Sequence, residues 1–174
     1  MPGPLKEETA LLLADYFQHR LGGTALPPSP AAEALRRAAG ELESREQPFF
    51  RSCRPLARAE PREAAALLAR VAAQLEADGG LNWGRVLALV VFAGSLAAAL
   101  AERGEDPARL ADVLAAYLAE EQREWLEAHG GWDGFYHFFN RHGSQPADQS
   151  NTISTIMAAA GFGLAGLAFL LAVR

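Results

Sequence analysis

The sequence predicts an all-α fold, a helical bundle around one central hydrophobic helix, with a C-terminal transmembrane helix. Three observations carry that prediction. Ala and Leu supply about a third of the 174 residues and β-branched runs are scarce, a balance that favours helices over strands. Val86 to Ala101 has no charged residue and is apolar on every face, short for a membrane crossing and suited to the centre of a bundle. Gln149 to Val173 is also uncharged, and its apolar part from Ile153 is long enough, at 1.5 Å per residue, to span a hydrocarbon core of ~30 Å. The chain divides accordingly into a helical domain (1–142), a polar linker (143–152) and a membrane anchor (153–173).

The elements run in order along the chain. Leu5, Leu12, Leu13, Tyr16 and Phe17 share the inner face of a first helix over Leu5 to Arg20. Leu21 to Pro30 is a loop by its Gly and Pro content, and Ser29-Pro30 reads as an N-cap with Pro at the first helical position. A second helix runs to about Gln47, where Pro48 stops it. Phe49, Phe50, Cys53 and Leu56 form a short apolar segment whose shape the sequence leaves open. Pro61 opens a helix in which Leu67, Leu68, Val71 and Leu75 recur at helical spacing. Asp78-Gly79-Gly80 ends it, and Asn82 caps the central helix. Asp106-Pro107 starts the next helix, with Leu110, Leu114, Tyr117, Leu118 and Trp125 on one face. Gly130-Gly131 breaks it, Asp133 reads as a cap, and Trp132 to Asn140 is a last short helix.

Composition also excludes functions. Half the residues are hydrophobic and 21% charged, as in a globular domain. The formal charge is −5 and no run of Lys or Arg supplies a phosphate-gripping face, so nucleic acid is not an expected partner. A single cysteine, Cys53, rules out an internal disulfide and a cysteine-based zinc cluster and fits a reducing compartment. Lys6, Glu7 and Glu8 argue against a secretory signal peptide.

Several local patterns carry little chemistry. Gly161 to Gly166 spells G-x-G-x-x-G but lacks the strand, helix and acidic residue of a dinucleotide site. Small residues at Ala159/Gly163 and Gly161/Ala165 would let two tail helices approach, or they reflect only a Gly/Ala-rich tail. His129, Asp133 and His137 are spaced four apart, but Gly130-Gly131 interrupts the helix that would align them on a metal. Arg51 and Arg54 alone do not activate Cys53, which reads as a buried thiol. With no constellation of reactive side chains, neither an enzyme nor a cofactor is expected.

Two segments stand out. Asn82-Trp83-Gly84-Arg85 sets a cap, a ring, a bare Gly and a cation where the chain enters its most apolar helix. Gly in a first helical turn costs up to about 1 kcal/mol against Ala, which close approach by another backbone would explain. Trp125 followed by Gly130-Gly131-Trp132-Asp133-Gly134-Phe135 sets two Trp residues around a glycine break. In this order and separation they resemble the first and second homology motifs of the Bcl-2 family of apoptosis regulators. The resemblance extends over nearly the whole chain and is strongest to the Bcl-B/Diva branch and its avian anti-apoptotic member.

The resemblance implies the family's Bcl-2-like bundle and a hydrophobic groove for the BH3 helix of a pro-apoptotic relative, read by apolar anchors at i, i+3/i+4 and i+7. By motif, Arg85 would pair with the ligand's aspartate, Asn82 would hydrogen-bond beside it, and Gly84 would admit the ligand helix. Val71 and Leu75 align with one groove wall, Leu42 and Phe50 with the other, and Leu87, Ala88 and Phe92 with the floor. Phe139 would close one end, while Trp83 and Trp132 belong to the scaffold. Leu35 to Leu42 resembles the third homology motif, but Gly40 stands where the family carries Asp. That departure makes the segment a groove wall rather than a ligand and argues against a killer role. The stretch 78–81 also holds one residue more than the usual spacing, which would shift Val71 and Leu75 relative to Arg85. The fourth motif, Glu8 to Phe17, matches only by position and amphipathicity.

The function so implied is anti-apoptotic: sequestering BH3 helices blocks permeabilisation of the mitochondrial outer membrane. The tail would anchor the chain there, or in the endoplasmic reticulum or nuclear envelope, with its bulk facing the cytosol. Homo- or heterodimers stay open, as do a pore-forming pro-apoptotic member of the same fold and a tail-anchored adaptor without a groove.

Overall fold

The central helix orders everything else. A computed structural model describes residues 4–57, 60–77 and 80–142. The predicted linker, the anchor with its glycine pattern, and Asp78-Gly79 lie outside the described residues. Helix α5 (Trp83–Glu102) is buried at every position from Trp83 to Leu100. By length and composition it could cross a membrane, yet 94% of its apolar window is covered by the other helices, which makes it the core. Asn82 caps it as expected, its Oδ1 accepting the Arg85 N–H at 2.9 Å.

Among the described residues seven further helices pack around it: α1 (Pro4–Arg20), α2 (Pro30–Arg45), α3 (Gln47–Cys53), α4 (Pro61–Ala77), α6 (Ala108–Ala116), α7 (Arg123–Ala128) and α8 (Gly131–His142). No strand occurs among the described residues. The predicted inner face of α1 is buried at Leu12, Leu13, Tyr16 and Phe17, with Leu5 partly covered. Ser29 Oγ accepts the Ala32 N–H at 3.1 Å and Pro30 comes next, which starts α2 as its sequence indicates. Two guanidinium–carboxylate pairs clamp α2 to α1. Arg36 donates to both oxygens of Asp15 at 2.6 and 3.0 Å, and Arg20 donates twice to Glu43 Oε2 at 2.7 and 3.0 Å.

Four boundaries differ from the sequence reading. Helix α2 ends at Arg45, and Pro48 lies inside the first turn of α3, where its missing N–H removes no helical bond. The open segment after it is thus α3, continued by a 3₁₀ turn (Arg54–Ala57). The predicted long helix to Trp125 is interrupted by a π turn (Tyr117–Glu121), in which Gln122 N–H bonds to the Tyr117 carbonyl at 2.9 Å. That extra residue per turn rotates the side chains of α7, so Leu126 is buried and Trp125 only half-buried. Asp106 lies one residue ahead of the α6 N-cap, Pro107, and its Oδ1 accepts the Ala108 N–H at 2.9 Å. Asp133, expected to cap the last helix, falls within its first turn, because α8 begins at Gly131, whose φ of 62° suits glycine.

Candidate functional site

The residues implied by the groove converge from five helices. Leu42 of α2, Phe50 of α3, Val71 and Leu75 of α4, Leu87, Ala88 and Phe92 of α5, and Phe139 of α8 all belong to one buried apolar cluster. All of them are buried: the helix faces that would wall a groove pack on its floor. The motif-three face of α2 (Leu35, Ala38, Ala39, Leu42) is likewise turned inward and buried.

Arg85 occupies an unexpected place. Its side chain is 2% exposed, and Nη1 donates to the carbonyls of Leu75 and Gly80, each at 2.6 Å. Helix α4 ends at Ala77 with no basic residue in its last turn, and Arg85 supplies a cation to its carbonyl end from the neighbouring helix. Neither a ligand aspartate nor a surface carboxylate is therefore needed to satisfy these two bonds. It is the Leu75 carbonyl, and not only its side chain, that stands against Arg85. Asn82 is engaged as the α5 cap, and Gly84 is buried in the first turn.

The second motif builds a ring cluster beside the N-terminus of α5. Trp83 packs edge-on against Trp125 (centroids 4.8 Å apart) and Phe135 (5.5 Å), and tilts against Trp132 (6.2 Å); Phe135 continues to Phe139 at 4.6 Å. Trp83 and Trp132 are scaffold here, as expected. Gly134 has no alternative: a Cβ there would run into the His129 carbonyl oxygen and stand 3.5 Å from the Trp83 ring. The three glycines of this motif thus open the turn and admit the helix.

Sequence reasoning missed Thr9. It is fully buried; its Oγ1 accepts the Trp132 Nε1–H at 2.7 Å and donates to the Leu5 carbonyl at 2.7 Å. The signal was a hydroxyl on an otherwise apolar inner face of α1, four residues after Leu5. Cys53 is a buried thiol, and burial pushes its pKa up to about 12, partly countered by the Ser52 hydroxyl. Among the described residues no group of three His, Cys, Asp or Glu side chains could hold a metal.

Comparison with known proteins agrees with this geometry. The profile described as "Apoptosis regulator proteins, Bcl-2 family" matches residues 35–132. The chain is 79% identical to the anti-apoptotic protein NR13 of Gallus gallus, with all of both chains covered. It is 37% identical to Bcl-2-like protein 10 of Homo sapiens, over 80% of this chain and 78% of that one. Its fold is similar to that of the zebrafish pro-survival protein NRZ solved with a Bad BH3 peptide, with a TM-score of 0.70 and 37% identity, covering 78% and 94% of the two chains.

Proposed function

The chain belongs to the Bcl-2 family of apoptosis regulators, and from that premise we propose that it opposes apoptosis by holding the BH3 helix of a pro-apoptotic relative. The observation that carries the reading is the convergence of eight apolar residues from α2, α3, α4, α5 and α8 beside the N-terminus of α5. The similar zebrafish protein holds Bad BH3.

Occupancy is the mechanism. A BH3 helix brings apolar anchors at i, i+3/i+4 and i+7, and α3 and α4 part from α5 so that Leu42, Phe50, Val71, Leu75, Leu87, Ala88 and Phe92 meet the ligand instead of one another. Arg85 then exchanges a backbone carbonyl for the ligand's aspartate, trading a neutral acceptor for a charged one, the stronger kind of bond. Asn82 and Gly84 stay at the entry turn, and Phe139 closes one end. A death-promoting helix held in this way is withheld from the membrane.

Catalysis has no part in this function. Residues 1–142 form the binding domain, 143–152 the linker and 153–173 an anchor in the mitochondrial outer membrane, which would concentrate both partners on one surface. The test is titration of the full chain in neutral detergent with a labelled Bad BH3 peptide. Saturable binding, lost when the peptide's aspartate is replaced by alanine, is expected. A folded chain that binds no such peptide would remove the groove reading. Dye release from liposomes by the chain alone would favour the pore-forming alternative.

A further inference from the structure

A surface cavity of about 320 Å³ opens between the end of α1, α2, α3 and the middle of α5. Of the predicted groove residues only Phe50 lines it, and Ser95, on its wall, is ten residues along α5 from Arg85, roughly 15 Å at the helical rise. Three arginines, Arg20, Arg51 and Arg54, line this cavity against one acidic residue, Glu43. The protein as a whole carries −5, so this wall runs against the global charge. Arg20 holds Glu43 and Arg54 reaches Glu102, while Arg51 is exposed and makes no ion pair among the described residues.

Ser95 supplies the second, independent observation. It is 1% exposed, and its Oγ has no hydrogen-bond partner, an omission that folded proteins rarely leave unexplained. The Tyr16 hydroxyl, also buried and unpartnered, lies 2.9 Å from where a Cβ on the adjacent Gly94 would stand. Gly40 completes the wall: a Cβ there would meet nothing within 4 Å, and the carboxylate that the third-motif resemblance implies at this position is absent from the cavity.

We propose that this cavity binds a phosphate group, with Arg51 and Arg54 as its cations and the Ser95 hydroxyl donating from the central helix. Guanidinium forks match the tetrahedral oxygens of a phosphate, and a hydroxyl donor at the base fixes its depth. The volume leaves room for an ester substituent, so the phosphate of a lipid headgroup and a soluble phosphate share the chemistry.

The test uses the full chain in neutral detergent, titrated with inorganic phosphate while the arginine Nε–H resonances are followed. A saturable shift is expected, with Arg51→Gln, Ser95→Ala and Gly40→Asp each weakening the affinity on the order of tenfold. Gly40→Ala, which fills the same open space without charge, keeps the wild-type affinity. Arg51 and Gly40 are exposed, so no thermal midpoint falls appreciably below wild type, Gly40→Ala raising it through helix propensity, and any loss of binding is local. In a second arm the chain is placed in phosphatidylcholine nanodiscs with or without phosphatidate. A phosphatidate-dependent shift that Arg51→Gln removes assigns the phosphate to a lipid; a shift with inorganic phosphate alone assigns it to a soluble ester. A response that does not saturate, or equal affinities for wild type, Arg51→Gln and Gly40→Asp, overturns the proposal.

Discussion

Replacing Arg85 with alanine separates two roles that one residue combines. Its Nη1 donates to the carbonyl of Leu75, in the last turn of α4, and to that of Gly80, just past it, both at 2.6 Å, within a buried corner. Hydrogen bonds from a charged donor contribute about 1.5–3 kcal/mol each, and removing the side chain strands the carbonyls. Part of that loss is offset, because a buried guanidinium carries its own desolvation cost and water can enter the space left. The net expectation is about 2–4 kcal/mol of lost stability, a large share of the 5–15 kcal/mol typical of a domain. For a chain of this size that lowers the thermal midpoint by roughly 5–15 °C.

BH3 binding should fall as well, by about 1.5–3 kcal/mol, or roughly 10- to 100-fold, once the ligand's carboxylate loses its cation. Thermal unfolding by circular dichroism and peptide titration below the lowered midpoint measure the two effects on the same sample. Arg85→Lys should recover part of each, since an ammonium reaches as a point charge without the fork. An unchanged midpoint in Arg85→Ala would refute the cap on α4, whatever happened to binding. A lowered midpoint with unaltered peptide affinity would instead confine Arg85 to the scaffold.

Three further outcomes rest on the packing. Gly134→Ala forces a methyl onto the His129 carbonyl and should cost about 1–3 kcal/mol or more, read as a lower urea midpoint; a neutral result would mean the α7–α8 turn can spread. Thr9→Val keeps the shape but leaves the Trp132 indole N–H buried without an acceptor, for about 1–3 kcal/mol, whereas Thr9→Ser should stay close to wild type. Cys53 titrates near 9.0 when unfolded and near 12 when folded, so its contribution is intact below pH 9 and is lost as pH rises toward 12. Tyr117, raised from 10.0 to about 12 chiefly by burial, acts in the same direction. Stability should therefore fall between pH 9 and 12, and a disulfide reagent should modify Cys53 at pH 8 no faster than the chain unfolds; rapid labelling of the native protein would contradict its burial.

Much of this arrangement was legible because it is written in apolar spacing. The uncharged run that starts at Val86 is met by burial through Leu100, and Ser29 and Asn82 are caps whose side chains do the capping. Pro48 misled because proline both ends one helix and suits the first turn of another, and a single residue, Glu46, separates the two. The π turn at Tyr117 left no trace, since one extra residue per turn changes the facing of later side chains without changing composition. In the candidate site, the apolar members assembled as a set, but the partners of Arg85 were invisible. They are main-chain carbonyls, which every residue carries, and only the path of the chain after Ala77 brings them to the guanidinium.

The bond from Trp132 to Thr9 spans 123 positions of the chain. Such distant pairing sets an order of events during synthesis. Helix α1 emerges first with an apolar face and a hydroxyl whose indole partner has not yet been made, whereas α5 emerges behind α1 to α4, which supply most of its packing. Neither can reach its final packing before α8 is complete. Contacts this far apart in sequence slow folding and prolong the exposure of sticky surface. The ring cluster around Trp83, at the start of the most apolar helix, therefore stays incomplete until translation has passed α8, and the last described helix is the one that closes the fold.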